Sequence, residues 1–188
     1  MILPLTFYGN PVLREKGAAV ESVTPELEEF IENMFETMEE HRGIGLAAQQ
    51  VGRAIQLTVI DIRAAENRPS TLEIDGETAD PNSLMPLVLI NPEVTPLNDP
   101  VSGPEGCLSF PEIYGDVTRP EQVRVKVMGG RGVPIEFVCG GLLSRCIQHE
   151  TDHLHGILFI DRMDRASKTD ELREDLELLQ KETKAALE

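Results

Sequence analysis

The most restrictive feature of this sequence is a helix-forming segment that places two histidines one turn apart. Residues 141–155 are followed by Gly156, a residue type that commonly ends helices. Within this segment, Gln148–His153 reads Q-H-E-T-D-H and contains the pattern H-E-x-x-H. Side chains four positions apart lie on the same side of a helix. His149 and His153 are therefore predicted to point in the same direction.

Two imidazoles at this spacing can bind one divalent metal ion, and Glu150 lies between them in the sequence. Glu150 also shares a helix face with the apolar residues Leu143, Ile147 and Leu154. Burying a carboxylate there without a partner would cost on the order of several kcal/mol. A metal site explains the carboxylate, because Glu150 could then exchange a proton with water held by the ion. The alternative is a histidine pair on a solvated helix face.

The third metal ligand is not supplied by the nearest candidates. Phe159 stands where metzincin proteases have a third histidine, which excludes that arrangement in this register. Thermolysin-like proteases use a glutamate from a later helix, but Glu171 and Glu174 lie in a charged segment typical of a solvated helix face. Cys146 and His153 are separated by about 10.5 Å of helix, too far for both to reach one ion. Cys146 is therefore interpreted as a pocket-wall residue.

Cys107 is the best remaining candidate for the third ligand. It lies in Pro104–Ser109, a turn-rich segment between strands, where Gly106 lets the backbone pass close to an ion. Cys139 falls in a predicted strand and is expected in the core. Because the chain has only three cysteines, an odd number, a disulfide framework is not expected. A thiolate with two neutral imidazoles suits Fe²⁺ or Zn²⁺.

Periodicity along the chain predicts a single α+β domain spanning residues 1–188. Strands follow one another in meander order, with helices at both ends and in between, which favours antiparallel sheets. Residues 64–85 are polar and carry Pro, Gly and several acids, so we predict a mobile surface loop there rather than a border of the active groove. The predicted helices and strands span residues 25–41, 55–62, 85–90, 123–128, 133–138, 141–155 and 168–187.

Charge and hydropathy exclude several classes of function. The net charge of −16 argues against general nucleic-acid binding, because phosphates repel an acidic surface. No stretch approaches the roughly 18 apolar residues that a membrane helix requires. The N-terminal residues Met1–Thr6 lack the basic region and the small-residue cleavage site of a signal peptide. A cytoplasmic location is therefore expected.

Three segments resemble the three motifs of the peptide deformylase family, in the family's order. Gly43–Gln50 (GIGLAAQQ) resembles G-x-G-L-A-A-x-Q, Glu105–Ser109 resembles E-G-C-L-S, and Gln148–His153 resembles Q-H-E-x-D-H. Tyr8–Arg14 is similar to the family's opening segment, and the resemblance covers residues 3–165. It implies antiparallel sheets packed around a central H-E-x-x-H helix, with an N-terminal and a C-terminal helix. It also implies that the enzyme removes the formyl group from formylmethionyl nascent polypeptides and releases formate.

The resemblance implies one metal ion for each chain, Fe²⁺ in the cell, with Zn²⁺ or Ni²⁺ as substitutes. Cys107, His149 and His153 would hold the ion, and Glu150 would carry the proton between water and the leaving amine. The oxyanion that develops on the substrate would be stabilised by the metal together with the Leu108 backbone N–H and the Gln50 side chain.

The first motif is expected to contact the substrate. Gly43 and Gly45 let an extended peptide approach the backbone and pair with it. The Gln50 amide is a second donor for the oxyanion. The resemblance further implies a pocket for the methionine side chain; its wall would consist of Ile44, Leu142 and Cys146.

Some family members dock on the ribosome through a basic C-terminal extension. In this chain residues 168–188 form a predicted charged helix with four Lys or Arg and seven Asp or Glu residues, so charge-driven docking through it is not expected. Two other functions stay open from the sequence, a zinc-type metalloprotease that cuts internal bonds and a non-catalytic metal-binding module. Formate release from a formylated peptide would distinguish the three.

Overall fold

The computed structural model describes residues 1–188 and contains four α-helices and nine β-strands. The helices are α1 (Pro25–Glu40), α2 (Gly141–Leu154), α3 (Phe159–Arg162) and α4 (Asp170–Ala186). The strands are β1 (Gly45–Ala47), β2 (Leu57–Ile60), β3 (Ser70–Ile74), β4 (Glu77–Ala79), β5 (Leu87–Pro96), β6 (Pro100–Cys107), β7 (Phe110–Pro120), β8 (Gln122–Met128) and β9 (Pro134–Gly140). The predicted mixture of helices and antiparallel sheets is confirmed. None of the helices is long and apolar enough to span a membrane.

The strands form two separate antiparallel sheets. Seven of them make one sheet in the order β1-β2-β5-β8-β9-β3-β4, and β6 pairs only with β7. The predicted hairpin at 123–138 is present, since β8 pairs with β9 and Val125 lies opposite Phe137. The two sheets share no ladder of hydrogen bonds. The position of the β6–β7 hairpin therefore depends on its short chain connections to β5 and β8, on side-chain contacts and on the helices next to it.

Helix α2 packs against the seven-stranded sheet and contacts β1, β2, β3 and β9. Its apolar side chains, among them Leu143 and Ile147, belong to one core cluster with Leu89 and Phe137 of the sheet. The helix ends before Gly156, which has a φ of +73°. A side chain at Gly156 would overlap the backbone of Arg14, so glycine is required both by the turn and by the close approach.

Helix α1 begins as its sequence predicts. The Thr24 hydroxyl accepts a hydrogen bond from the Leu27 N–H at 3.2 Å, and Pro25 occupies the first turn. Leu27, Phe30 and other apolar side chains of α1 form a second core cluster with β1 and β2. Helix α1 therefore packs against both β1 and β2.

Residues 64–85 contain a β-hairpin, so the prediction of a loop is wrong, while the predicted mobility stays a prediction. The segment also contributes Arg68 to the wall of the cavity described below, so the prediction that it does not border the groove is wrong as well. Strand β3 pairs with β9 and places Leu72, which is buried, opposite Cys139. The turn to β4 contains Asp75 and Gly76, both with positive φ. Alternating apolar and polar residues followed by Asp-Gly are a hairpin signal, and the polar composition of the segment concealed it.

The β6–β7 hairpin was also not predicted, because the proline and glycine residues of Pro100–Cys107 read as turns. Phe110 and Val117 of β7 are buried in a third cluster together with Phe159 of α3. Helix α4 lies on the outside of this cluster. None of its residues is fully buried, and its leucines contribute only partly covered surface.

Candidate metal centre

Two elements that are distant in sequence bring three potential ligands together. Cys107 stands at the end of β6, whereas His149 and His153 lie one turn apart on α2. The ligand atoms of the three side chains all lie within 4.8 Å of one another. The distance from Cys107 Sγ to His153 Nε2 is 3.4 Å. A thiolate and two imidazoles at this spacing fit one divalent ion.

The chemical state of His153 agrees with this interpretation, whereas burial of His149 is outweighed by hydrogen bonds to Cys107 and Glu105, which raise the pKa of His149 well above its usual value in the metal-free chain. Burial, together with the positive charges of His149 and Arg119, lowers the pKa of His153 well below its usual value. His153 is therefore neutral, which is the form that binds metals. His149 Nδ1 lies 2.8 Å from Glu105 Oε1. That contact occupies one ring nitrogen and leaves Nε2 as the nitrogen available for a metal.

Glu105 is the centre of a buried network of charges behind His149. Its Oε2 accepts hydrogen bonds from Arg119 Nε at 2.6 Å and from Arg145 Nη1 at 2.9 Å. Burial alone would raise the pKa of Glu105, but hydrogen bonds from His149 and Arg119 outweigh it and lower the pKa to about 2. Arg119 also donates to Asp152 at 2.9 Å, which links β7 to α2. Glu105 is therefore ionised, and both of its carboxylate oxygens are bound by neighbouring side chains.

Sequence reasoning did not assign a role to this network. Glu105 was noted only as part of its motif, and Arg119, Arg145 and Asp152 were not singled out. Charged residues are ordinarily exposed, so the sequence gives no reason to expect that Arg119 and Glu105 are buried. A signal that pairs these two distant positions would have been needed to reveal their contact.

Glu150 is buried beside the triad without a hydrogen-bond partner for one of its oxygens. Its relative exposure is 4%, and Oε2 contacts no donor. Burial raises the pKa of Glu150 to about 7, although the charge of His149 opposes the shift. A carboxylate with a pKa near neutrality is suited to both accepting and donating a proton.

Gly45 makes room for this carboxylate. A Cβ atom at Gly45 would lie 2.7 Å from Glu150 Oε1 and 2.9 Å from Cys146 Sγ. Because the sequence predicts that Glu150 carries a proton in the reaction, we expect Gly45→Ala to displace its carboxylate and to lower kcat by about 10²-fold, since small displacements of a reacting group are costly. Steady-state kinetics with Gly130→Ala, a glycine in the β8–β9 turn, provides the control. A kcat equal to that of the unchanged chain would contradict this reading of Gly45.

Two hydrogen-bond donors, the Gln50 amide and the Leu108 backbone N–H, belong to residues that line the same cavity as Cys107 and His149. The Gln50 amide is oriented by the Ala47 N–H, which donates to Oε1 at 2.9 Å. Gln50 Nε2 then points at Cys107 Sγ, 3.3 Å away, and at Ser109 Oγ, 3.2 Å away. The Leu108 N–H donates to no atom of the protein. The Leu108 N–H is thus without a partner, whereas Gln50 Nε2 is already bound to Cys107 and Ser109.

A cavity of about 660 Å³ opens next to the triad. It is bordered by every site residue predicted from the sequence except His153. Burial raises the pKa of the Cys146 thiol well above its usual value, so Cys146 is a neutral part of the wall. The lining residues that carry these expectations are Gly43, Ile44, Gly45, Gln50, Cys107, Leu108, Leu142, Cys146, His149 and Glu150.

The family model described as polypeptide deformylase matches residues 2–169 of this chain. The chain belongs to the polypeptide deformylase family. A peptide deformylase of Opitutus terrae is 45% identical over 188 residues, which cover 99% of this chain and 97% of that protein. A peptide deformylase of Methylacidiphilum infernorum is 44% identical over 181 residues, which cover 96% of this chain and 94% of that protein.

Solved structures of the deformylase family have the same fold. A peptide deformylase from Synechococcus elongatus, crystallised with actinonin, superposes with a TM-score of 0.77 and 41% identity, over 94% of this chain and 85% of that one. A plant peptide deformylase superposes with a TM-score of 0.82 and 36% identity, over 98% and 92% of the two chains. As a member of this family, the chain is a metal-dependent hydrolase that removes the N-terminal formyl group from nascent polypeptides.

Proposed function

We propose that Cys107, His149 and His153 bind one divalent ion in this deformylase, Fe²⁺ in the cell, which Zn²⁺ or Ni²⁺ can replace. The single observation that supports this ligand set best is the convergence of the three donor atoms within 4.8 Å. When bound, a divalent ion in such a site makes water more acidic and polarises a carbonyl group.

In the proposed reaction, Glu150 removes a proton from the attacking water and later returns it to the leaving amine. Its burial beside the triad and its pKa of about 7 support both steps, because the group changes protonation state near neutral pH. The formyl carbon is attacked on the side facing Glu150, and formate departs once the amine has received the proton.

The oxyanion that develops on the formyl oxygen is stabilised by the Leu108 N–H and by Gln50 Nε2. Support comes from the absence of any other acceptor for the Leu108 N–H and from the orientation of the Gln50 amide toward Cys107. Preorganised donors of this kind lower the barrier because they need no reorganisation during the reaction.

The substrate peptide is proposed to pair with the backbone at Gly43, Ile44 and Gly45. Strand β1 is the outermost strand of the larger sheet at this end, so one of its edges is free for an added strand. The methionine side chain enters the cavity between Ile44, Leu142 and Cys146, all of which border it.

We further propose how the chain is organised around the site and where in the cell the enzyme acts. Residues 1–188 form one catalytic domain, and α2 is its central H-E-x-x-H helix. The enzyme acts in the cytoplasm. Transient binding to the ribosome would not use the charge of residues 168–188, because acidic residues outnumber basic ones there.

The direct test is formate release from formyl-Met-Ala-Ser by the metal-loaded chain. We expect turnover with this peptide and no cleavage of casein, which would report a protease cutting internal bonds. Metal binding without formate release would contradict the proposed function and indicate a non-catalytic module.

Replacing Cys107 by serine is expected to weaken metal binding by about 10²-fold and to remove the thiolate-to-metal absorption band of the cobalt-loaded chain, because a soft charged ligand is lost. Competition with a chelator measures the affinity. Cys139→Ala, which removes a buried thiol from β9, is the matched control and should bind metal normally. Unchanged affinity and an unchanged band in Cys107→Ser would contradict the ligand set.

A further inference from the structure

Arg145 joins helix α2 to both strands of the β6–β7 hairpin. Its Nη1 donates to the Val117 carbonyl at 2.7 Å, and its Nη2 donates to the Val101 carbonyl at 2.7 Å. Val117 lies on β7 and Val101 lies on β6. A single guanidinium group therefore spans the hairpin from one strand to the other.

The same guanidinium group holds the carboxylate that orients a metal ligand. Arg145 Nη1 lies 2.9 Å from Glu105 Oε2, and the other oxygen of Glu105 lies 2.8 Å from His149 Nδ1. Arg145 precedes His149 by one turn on α2. Cys107 follows Glu105 by two residues on β6. Through Glu105, Arg145 is thus linked both to His149 on the helix and to Cys107 on the hairpin.

The local packing is shaped for this side chain. A Cβ atom at Gly103 would lie 3.1 Å from Arg145 Nη2 and 3.2 Å from its Cζ, so the guanidinium lies flat against the bare backbone of β6. Only 12% of the Arg145 side chain is exposed. A planar group with several donors in a fixed arrangement loses little freedom when it binds in this way, unlike a lysine ammonium.

Arg145 differs in this respect from Arg119, the other arginine that binds Glu105. Arg119 and Glu105 lie on the same hairpin, so their contact stabilises the hairpin internally. Arg119 reaches α2 only through Asp152, on the far side of His149 from Arg145. His149 and Arg145 both connect α2 directly to Glu105, but Arg145 also binds carbonyl groups of both hairpin strands.

We infer that Arg145 is a positioning residue that sets the Cys107 thiolate at the correct distance from the two imidazoles. The inference rests on the ligand set proposed above. The two sheets share no ladder, so the separation of Cys107 from His149 and His153 is not fixed by backbone hydrogen bonds between sheets. Groups that orient metal ligands from behind typically change metal affinity by about 10-fold to 100-fold when they are removed.

The test measures metal binding on the full chain independently of catalysis. Metal-free protein is titrated with Co²⁺ and with Zn²⁺ in the presence of a competing chelator, and the cobalt spectrum is recorded. Arg145→Met is expected to bind both ions about 10-fold to 100-fold more weakly and to shift the thiolate-to-cobalt band. Arg145→Lys keeps the charge without the planar group and should fall between Arg145→Met and the unchanged chain.

Two controls separate positioning from general effects. Arg173→Met makes the same change of charge on the exposed face of α4, and Leu27→Ala weakens core packing in α1. Both should bind cobalt with normal affinity and an unchanged spectrum. If Arg145→Met does not fold, Arg145→Lys and Gly103→Ala decide the matter, since each disturbs the guanidinium contacts while keeping a basic side chain at position 145.

The inference is overturned if Arg145→Met, or both substitute variants, bind cobalt like the unchanged chain, or if Leu27→Ala weakens binding as much as Arg145→Met does. Failure of the underlying ligand set would look different. In that case the unchanged chain itself would lack a cobalt band that depends on Cys107.

Discussion

Replacing Glu150 by glutamine is expected to lower kcat by about 10³-fold while the metal ion stays bound. Glutamine has nearly the same shape but cannot accept the proton of the attacking water, and general acid–base groups typically contribute about 10²-fold to 10⁴-fold. Formate release and metal content should be measured on the same preparation. A variant that loses its metal would show that Glu150 is needed for binding, and a variant that keeps its activity would end the assignment as proton carrier.

The same substitution is expected to stabilise the metal-free chain at alkaline pH. Glu150 ionises near pH 4.5 when unfolded but at about 7 in the folded chain, so the unfolded state loses its proton first. Stability therefore falls as the pH rises through this window, by up to about 3 kcal/mol. Urea unfolding with a chelator present should show Glu150→Gln as the more stable chain at pH 8 and no gain at pH 4. An equal difference at both values would contradict this explanation.

Replacing Glu105 by glutamine is expected to destabilise the metal-free chain by about 3–5 kcal/mol at neutral pH. The substitution leaves Arg119 and Arg145 without the buried carboxylate that compensates them, and uncompensated buried charges are costly. It also removes the charged acceptor of His149 Nδ1. Urea unfolding at pH 7 measures the loss, and Glu77→Gln, an exposed residue of β4, serves as the control with little expected change.

The sign of the pH dependence distinguishes charge from shape in this prediction. The pKa of Glu105 is lowered from 4.5 to about 2, so its stabilising effect is fully present above pH 4.5 and is lost as the pH falls toward 2. The difference between the unchanged chain and Glu105→Gln should therefore shrink between pH 4.5 and 2. A difference that stays constant over this range would show that packing, and not the carboxylate charge, causes the destabilisation.

The sequence predicted the parts of the site that follow from helix geometry and from local motifs. His149, Glu150 and His153 could be placed on one helix because the helical repeat is regular and the segment ends at a glycine. Cys107 followed by elimination of the other ligands. Residues whose role depends on a distant partner could not be found in this way, and Arg145 is the clearest example. Nothing in its neighbours on α2 indicates that it binds carbonyl groups of β6 and β7.

The fold was predicted least well where composition contradicts structure. The β6 strand contains two prolines and two glycines, which favour turns, yet it pairs along its whole length with β7. Pairing with a good partner strand overrides weak local preference. The segment at 64–85 shows the same effect, since the polar residues around Leu72 concealed a strand that β9 stabilises.

The strands form two sheets that share no hydrogen-bonded ladder, so the proposed ion would have a structural role as well as a chemical one. Cys107 and His153 are 46 positions apart along the chain. An ion bound to both would cross-link the end of β6 to α2, far from the short chain connections that join β6 and β7 to the larger sheet, and ligands that bind only the folded state stabilise it. The bound ion would then be needed both for catalysis and for holding the β6–β7 hairpin next to α2.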